Sequence, residues 1–244
     1  MFDWLKLILG RQSPRRNSTS RTATGPDASD KIARRVLGLN DAEHIETALA
    51  KLKQIGLTLT SRAGASLPAT ASKIVEQWQG ISFSREPTPG NWALIALTGE
   101  IGAFENAAFF QDHCFDGYQL ESYSNMIAGI VKLAGNQWPI EGVDVEHTRA
   151  PNAPNDQDKG IRVTIKSARE LAPFVLTADK DFDWSLIYRL NERLPNEVAG
   201  RFAVFLDGNA TIVFLTPEEI VHLNTLCGYK FFYDEASEDL GPQN

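Results

Sequence analysis

Apolar positions recur at two different spacings along this chain. Between residues 29 and 80 the spacing is helical. Residues 29–38 and 41–55 read as a helical pair, the second with Ile45, Leu49 and Leu52 on one stripe, Asp41 as its cap and Gly56 as its stop. A third helix is predicted over 70–79, with Ile74, Val75 and Trp78 inward and Gly80 ending it. Pro87, Pro89 and Gly90 then mark a loop. Residues 92–97 (WALIAL) form a short continuous apolar run bounded by Gly90 and Gly99, the pattern of a buried strand. Residues 100–112 and 119–134 read as two more helices. Strands are expected at 140–146 and 161–165, separated by an exposed loop over 148–160 that is rich in Pro, Asn and Asp.

The last third carries the sharpest signals. A helix is predicted from Asp181 or Asp183 to about Leu194, apolar at Trp184, Ile187, Tyr188 and Leu190. Two β-prone runs follow, RFAVFL and ATIVFL, joined by Asp207, Gly208 and Asn209, a hairpin signal because glycine accepts positive φ at the turn. Both runs are apolar at nearly every position, so the hairpin is expected to be covered on both faces. Thr216, Pro217 and Glu219 then spell a helix start, with a threonine cap, a proline in the first turn and a glutamate reaching back. That helix should end at Gly228, before a final strand over 229–233. The fold class is α+β, with helices packed on a mixed or antiparallel sheet that includes the 201–215 hairpin. One domain is expected over 29–235, with 29–80 as an alternative helical subdomain. Residues 1–28 read as a short apolar segment plus a disordered basic linker, and 236–244 as an acidic tail that frays.

Composition changes this picture in one respect. The 244 residues are 43% hydrophobic and 23% charged, ordinary for a globular chain, which excludes fibrous and wholly disordered classes. The two cysteines form no disulfide framework, so a reducing, cytoplasmic setting is expected. The net charge of −7 is unevenly placed. Residues 1–36 carry eight basic and three acidic side chains, and the remainder sixteen basic and twenty-eight acidic. An acidic body repels nucleic-acid phosphates and speeds encounter with basic partners. At the basic end, Phe2, Trp4, Leu5 and Ile8 supply apolar contact, and Arg11, Arg15, Arg16 and Arg21 follow. Nine residues make a helix of about 13 Å, too short to cross a hydrocarbon core of about 30 Å, but enough to rest on the inner membrane surface.

The candidate chemistry is sparse. Asp179, Asp181 and Asp183 alternate like the start of a calcium loop, yet Trp184 and Leu190 stand where a glycine and a bidentate glutamate belong; helix capping explains them better. Cys114 beside His113 is the most reactive-looking pair, a thiolate whose base would be His147 or His222. Asp144, Glu146 and His147 suggest a divalent ion, but strand alternation puts the two carboxylates on one face and the imidazole on the other, so no metal site is expected. No phosphate-binding loop or hydrolase elbow occurs, and no cofactor is expected. The reading is therefore a non-catalytic acidic binding protein, of the inhibitor or immunity type that neutralises a basic partner such as a toxin. Its contact residues would be Glu141, Asp144, Glu146, Glu218, Glu219, Asp234 and Glu235. The alternatives are an enzyme with a Cys114-centred or metal-dependent site, and a membrane-surface scaffold tethered by residues 1–21.

Overall fold

A computed structural model describes residues 35–61, 66–83, 86–98, 102–111, 120–149, 159–177, 182–207 and 209–234. The protein is α+β, with six α-helices and three antiparallel sheets among these residues. In chain order they are β1 (Arg35–Val36), α1 (Ala42–Ile55), α2 (Leu67–Trp78), β2 (Ser82–Phe83), α3 (Pro89–Leu97), β3 (Ala107–Gln111), α4 (Leu120–Lys132), β4 (Ile140–Arg149), β5 (Lys159–Ser167), β6 (Phe174–Thr177), α5 (Leu186–Asn191), β7 (Arg201–Leu206), β8 (Asn209–Leu215) and α6 (Pro217–Cys227).

The hairpin β7–β8 organises everything else. Its register pairs Arg201 with Leu215 and Leu206 with Ala210, and β3 adds to the far side of β8, giving the order β3-β8-β7. Side chains on successive residues point to opposite faces, and here both faces are buried. Ala107, Ala203, Val213 and Leu215 enter one core with α1, α2, α3 and α6. Phe202, Val204, Ala210, Ile212 and Phe214 enter a second core with α4, α5 and the inner face of the β4-β5-β6 sheet. This is why neither run shows the apolar–polar alternation of a half-exposed strand. The outer edge of β7 is closed by a mutual pair of backbone hydrogen bonds between Val204 and Phe232.

Local chemistry explains the helix ends. In α6 the Thr216 hydroxyl accepts from the Glu219 amide, and the Glu219 carboxylate accepts from the Thr216 amide and hydroxyl at 2.7 and 2.9 Å. Gly228 closes the helix in the left-handed region, at φ 68. Ser66 caps α2, accepting from the Ala69 amide.

Five expectations need correction. Residues 92–97 are not a strand but most of α3, whose every residue from Gly90 to Leu97 except Asn91 is buried. A helix surrounded by core has no polar stripe to reveal its period. Within 100–112, residues 107–111 are a strand, because they pair with β8, a partner about a hundred positions away. Residues 35–36 are not helical either: they pair with Phe83 and Ser82 as β1–β2. The helix expected over 181–194 is confined to Leu186–Asn191. Asp183 lies before it and accepts from the amides of Thr177 and Ser185 at 2.8 and 3.0 Å, tying the end of β6 to the helix start. Asp41 does not cap α1 through its side chain. Its buried carboxylate accepts from the Gly38 amide and pairs with Arg35.

Candidate functional site

The acidic residues singled out in the sequence divide between opposite sides of the molecule. Glu141, Asp144 and Glu146 are exposed on β4, which bounds the second core. Glu218 is exposed in the first turn of α6, on the first core, with the β3-β8-β7 sheet lying between. Glu219, beside it, is committed to Thr216 as the partner in the capping box. Asp234 is exposed at the end of the described chain. The chain thus brings together only the β4 group.

On β4 the geometry is regular. β4 and β5 pair antiparallel, Asp144 opposite Thr164 and Glu146 opposite Arg162, with an irregularity of register between Ile140 and Gly142. Ile161, Val163 and Ile165 are buried on the inner face, while Arg162, Thr164 and Lys166 alternate outward. The Glu146 carboxylate meets Arg162 at 3.3 Å, and Lys166 reaches diagonally to Asp144. All four side chains are about half exposed or more, so each pair contributes only about 0–1 kcal/mol and water or a competing charge can replace it. Arg162 and Lys166 were not singled out in the sequence, because the bases that face the acids are identified only by the register of β4 with β5.

His147 is exposed at the far end of β4, opposite Ile161, on the strand face away from Asp144 and Glu146, as alternation requires. His222 is exposed on α6, not half-buried as its apolar neighbours suggest. Among the described residues no three His, Cys, Asp or Glu side chains converge on one point. Cys114, His113, Glu235, Phe2, Trp4, Leu5 and Ile8 lie outside the described residues. No described helix is long and apolar enough to cross a membrane.

Cys227, the last residue of α6, is free and buried. Burial pushes its thiol up from an ordinary 9.0 to about 12, because the thiolate has no water to solvate it. The neutral thiol is therefore the form the fold accepts, and stability attached to it is present at neutral pH and lost as pH rises from about 9 towards 12. In native protein at pH 8, Cys227 is expected to resist iodoacetamide over hours and to label once guanidinium unfolds the chain. Native labelling of Cys227 at the rate of a free peptide thiol would contradict its burial.

Described residues line two surface clefts, among others. The larger, about 490 Å³, is lined by Glu105, Asn106, Lys132, Gln137, Thr216 and Glu219 among others. Asn106 lines it and acts as a structural clamp. Its Oδ1 accepts from the Thr58 amide at 3.0 Å, and its Nδ2 donates to the carbonyls of Gly56 and Phe214 at 3.0 and 3.2 Å. The smaller, about 340 Å³, is bordered by Arg169, bound to Glu197, and by Arg193, whose guanidinium lies 4.4 Å over the Phe174 ring. A second aromatic and cationic group was not anticipated from the sequence: His44 stacks on Trp92 with centroids 5.2 Å apart, and Arg35 packs 5.4 Å from the same indole. Arg35 also holds Glu86 at 3.0 Å. These contacts fasten β1 to α1 and α3.

No protein-family model, curated protein or solved structure matches the chain.

Proposed function

We propose that the chain is a non-catalytic, acidic binding protein whose partner is a basic protein, acting as an inhibitor or immunity-type protein does when it neutralises a basic toxin. The observation that carries this reading is the row of exposed carboxylates on β4, Glu141, Asp144 and Glu146, set on a rigid strand within a body that is twelve charges acidic beyond residue 36. A strand fixes the spacing of its charges, so little side-chain order has to be imposed on binding. Long-range attraction between such a surface and a basic partner raises the association rate, and salt screens it. The reading places the protein in the cytoplasm.

The test is kinetic. A partner captured from native lysate and identified by mass spectrometry should be basic. Its association rate constant should fall at least about tenfold between 50 and 500 mM salt. The triple variant Glu141→Gln, Asp144→Asn and Glu146→Gln should bind several-fold more slowly, with most of the salt dependence gone. An association rate indifferent to salt, or turnover of the captured molecule, would overturn the reading.

A further inference from the structure

β4 is an edge strand. In the order β4-β5-β6 it is hydrogen-bonded to β5 on one side, and among the described residues no strand pairs with the other. It is ten residues long, against four for the opposite edge, β6. A long edge presents a row of backbone donors and acceptors ready to pair with another chain. Helix α4 packs against β4, and its Ser124 hydroxyl donates to the Val143 carbonyl at 3.3 Å, so that carbonyl faces away from β5. The two-residue period of a strand then turns the amides and carbonyls of Val145 and His147 to the same free side.

Resting on the reading above, we propose that this free edge of β4, from Val145 onward, is where the basic partner docks, as an extended segment that adds a strand to the sheet with its Lys or Arg side chains on the outer face. Charge decides the occupant. Across the outer face the order is already basic then acidic, with Arg162 and Lys166 on β5 flanking Glu146 and Asp144 on β4 from one side only. A basic strand completes the alternation, because opposite charges on neighbouring strands attract and like charges repel. A second copy of this chain is disfavoured on the same ground. Antiparallel β4–β4 pairing about Val145 would set Asp144 of each copy against Glu146 of the other. Main-chain hydrogen bonds supply affinity in such strand addition, and alternate side chains supply specificity.

The geometry sets a test that charge alone cannot pass. The probe is a capped nine-residue peptide of alternating lysine and valine, titrated against the full chain. With lysines outward over Asp144 and Glu146, it is the valine amides that face β4. A peptide N-methylated at its valines should therefore bind at least about tenfold more weakly than the parent, and one N-methylated at its lysines should bind like the parent, since several main-chain hydrogen bonds are lost in the first case only. On the protein side, His147→Pro removes an amide that faces the free edge. It should weaken the parent peptide comparably while leaving circular dichroism and Tm near those of wild type, as an edge proline allows. Should His147→Pro fail to fold, the two methylated peptides still decide. Equal, salt-sensitive binding by both would overturn the strand-addition proposal and leave the basic-partner reading standing. Failure of the parent peptide to bind would also overturn it. The broader reading falls separately, on the salt dependence of the captured partner.

Discussion

Gly90→Ala should lower Tm by roughly 5–10 °C, the opposite of what helix propensity alone dictates, because two helices meet at that position with no room for a methyl group. Alanine favours helix over glycine by about 1 kcal/mol, so an exposed helical glycine gains stability on substitution. Gly90 lies in the first turn of α3, and a Cβ placed there would sit 2.2 Å from the Cys227 carbonyl oxygen and 2.7 Å from its carbon. Those atoms are backbone at the end of α6, so no side chain can swing aside. The approach is itself favourable in the native chain: the electropositive start of α3 abuts the electronegative end of α6. Tyr229, just beyond, is hydrogen-bonded to Asn91 at the same junction, and its phenol is pushed up chiefly by burial. Forcing the helices apart would open the first core beside Trp92 and Leu223, costing about 2–3 kcal/mol after the propensity gain. Gly129→Ala is the control. It is also a helical glycine, but its Cβ would find only the Phe110 ring at 3.6 Å, an ordinary contact, so this variant should gain up to about 1 kcal/mol. Thermal unfolding of the two variants checks the pair, and shifts of the same sign would show that the α3–α6 approach is not tight.

That junction also marks where the sequence stopped being legible. The α6 start was readable from Thr216, Pro217 and Glu219. The start of α3 uses the same device: Thr88 caps it, Pro89 follows, and Asn91 returns a hydrogen bond to the Thr88 amide at 2.8 Å. It was missed because asparagine stands in the glutamate's place, because Gly90 suggests a turn, and because WALIAL is buried all round. Burial on every side removes the period by which helix and strand are told apart. In 201–215 the same loss of period did no harm, since valine, isoleucine and phenylalanine around a tight turn favour strands in their own right. Strand β3 begins with two alanines and depends on β8 for its state, so no local window reveals it. The acidic alternation of β4 was visible and correctly assigned to one face. Its neutralising partners, Arg162 and Lys166, required the hairpin register, which nothing in the loop between the strands states.

Asn106→Asp tests the other place where distant segments depend on a single side chain, and it is expected to lower stability by about 2–3 kcal/mol at pH 7. The substitution keeps shape and volume. The amide accepts one backbone hydrogen bond, from Thr58, and donates two, to Gly56 and Phe214, so it joins the exit of α1 to the end of β8. A carboxylate can still accept from Thr58, but it turns negative oxygen towards two carbonyls that have lost their donor, and such a facing costs more than an absent side chain. Asn106→Ala should accordingly be the milder change at neutral pH. Charge in the surrounding cleft sharpens the effect. Glu105 and Glu219 line it against the lone cation of Lys132, so the introduced carboxylate meets more repulsion than attraction. Near pH 4 the new carboxyl can take a proton and donate to one carbonyl, and the deficit of Asn106→Asp relative to wild type at the same pH should shrink below that of Asn106→Ala. Urea unfolding of the three proteins at pH 7 and pH 4 reads this crossing of the two variants. Parallel deficits at both pH values would mean that Asn106 fills space without clamping α1 to β8, and the route by which the helical layer is fastened to the central sheet would have to run elsewhere.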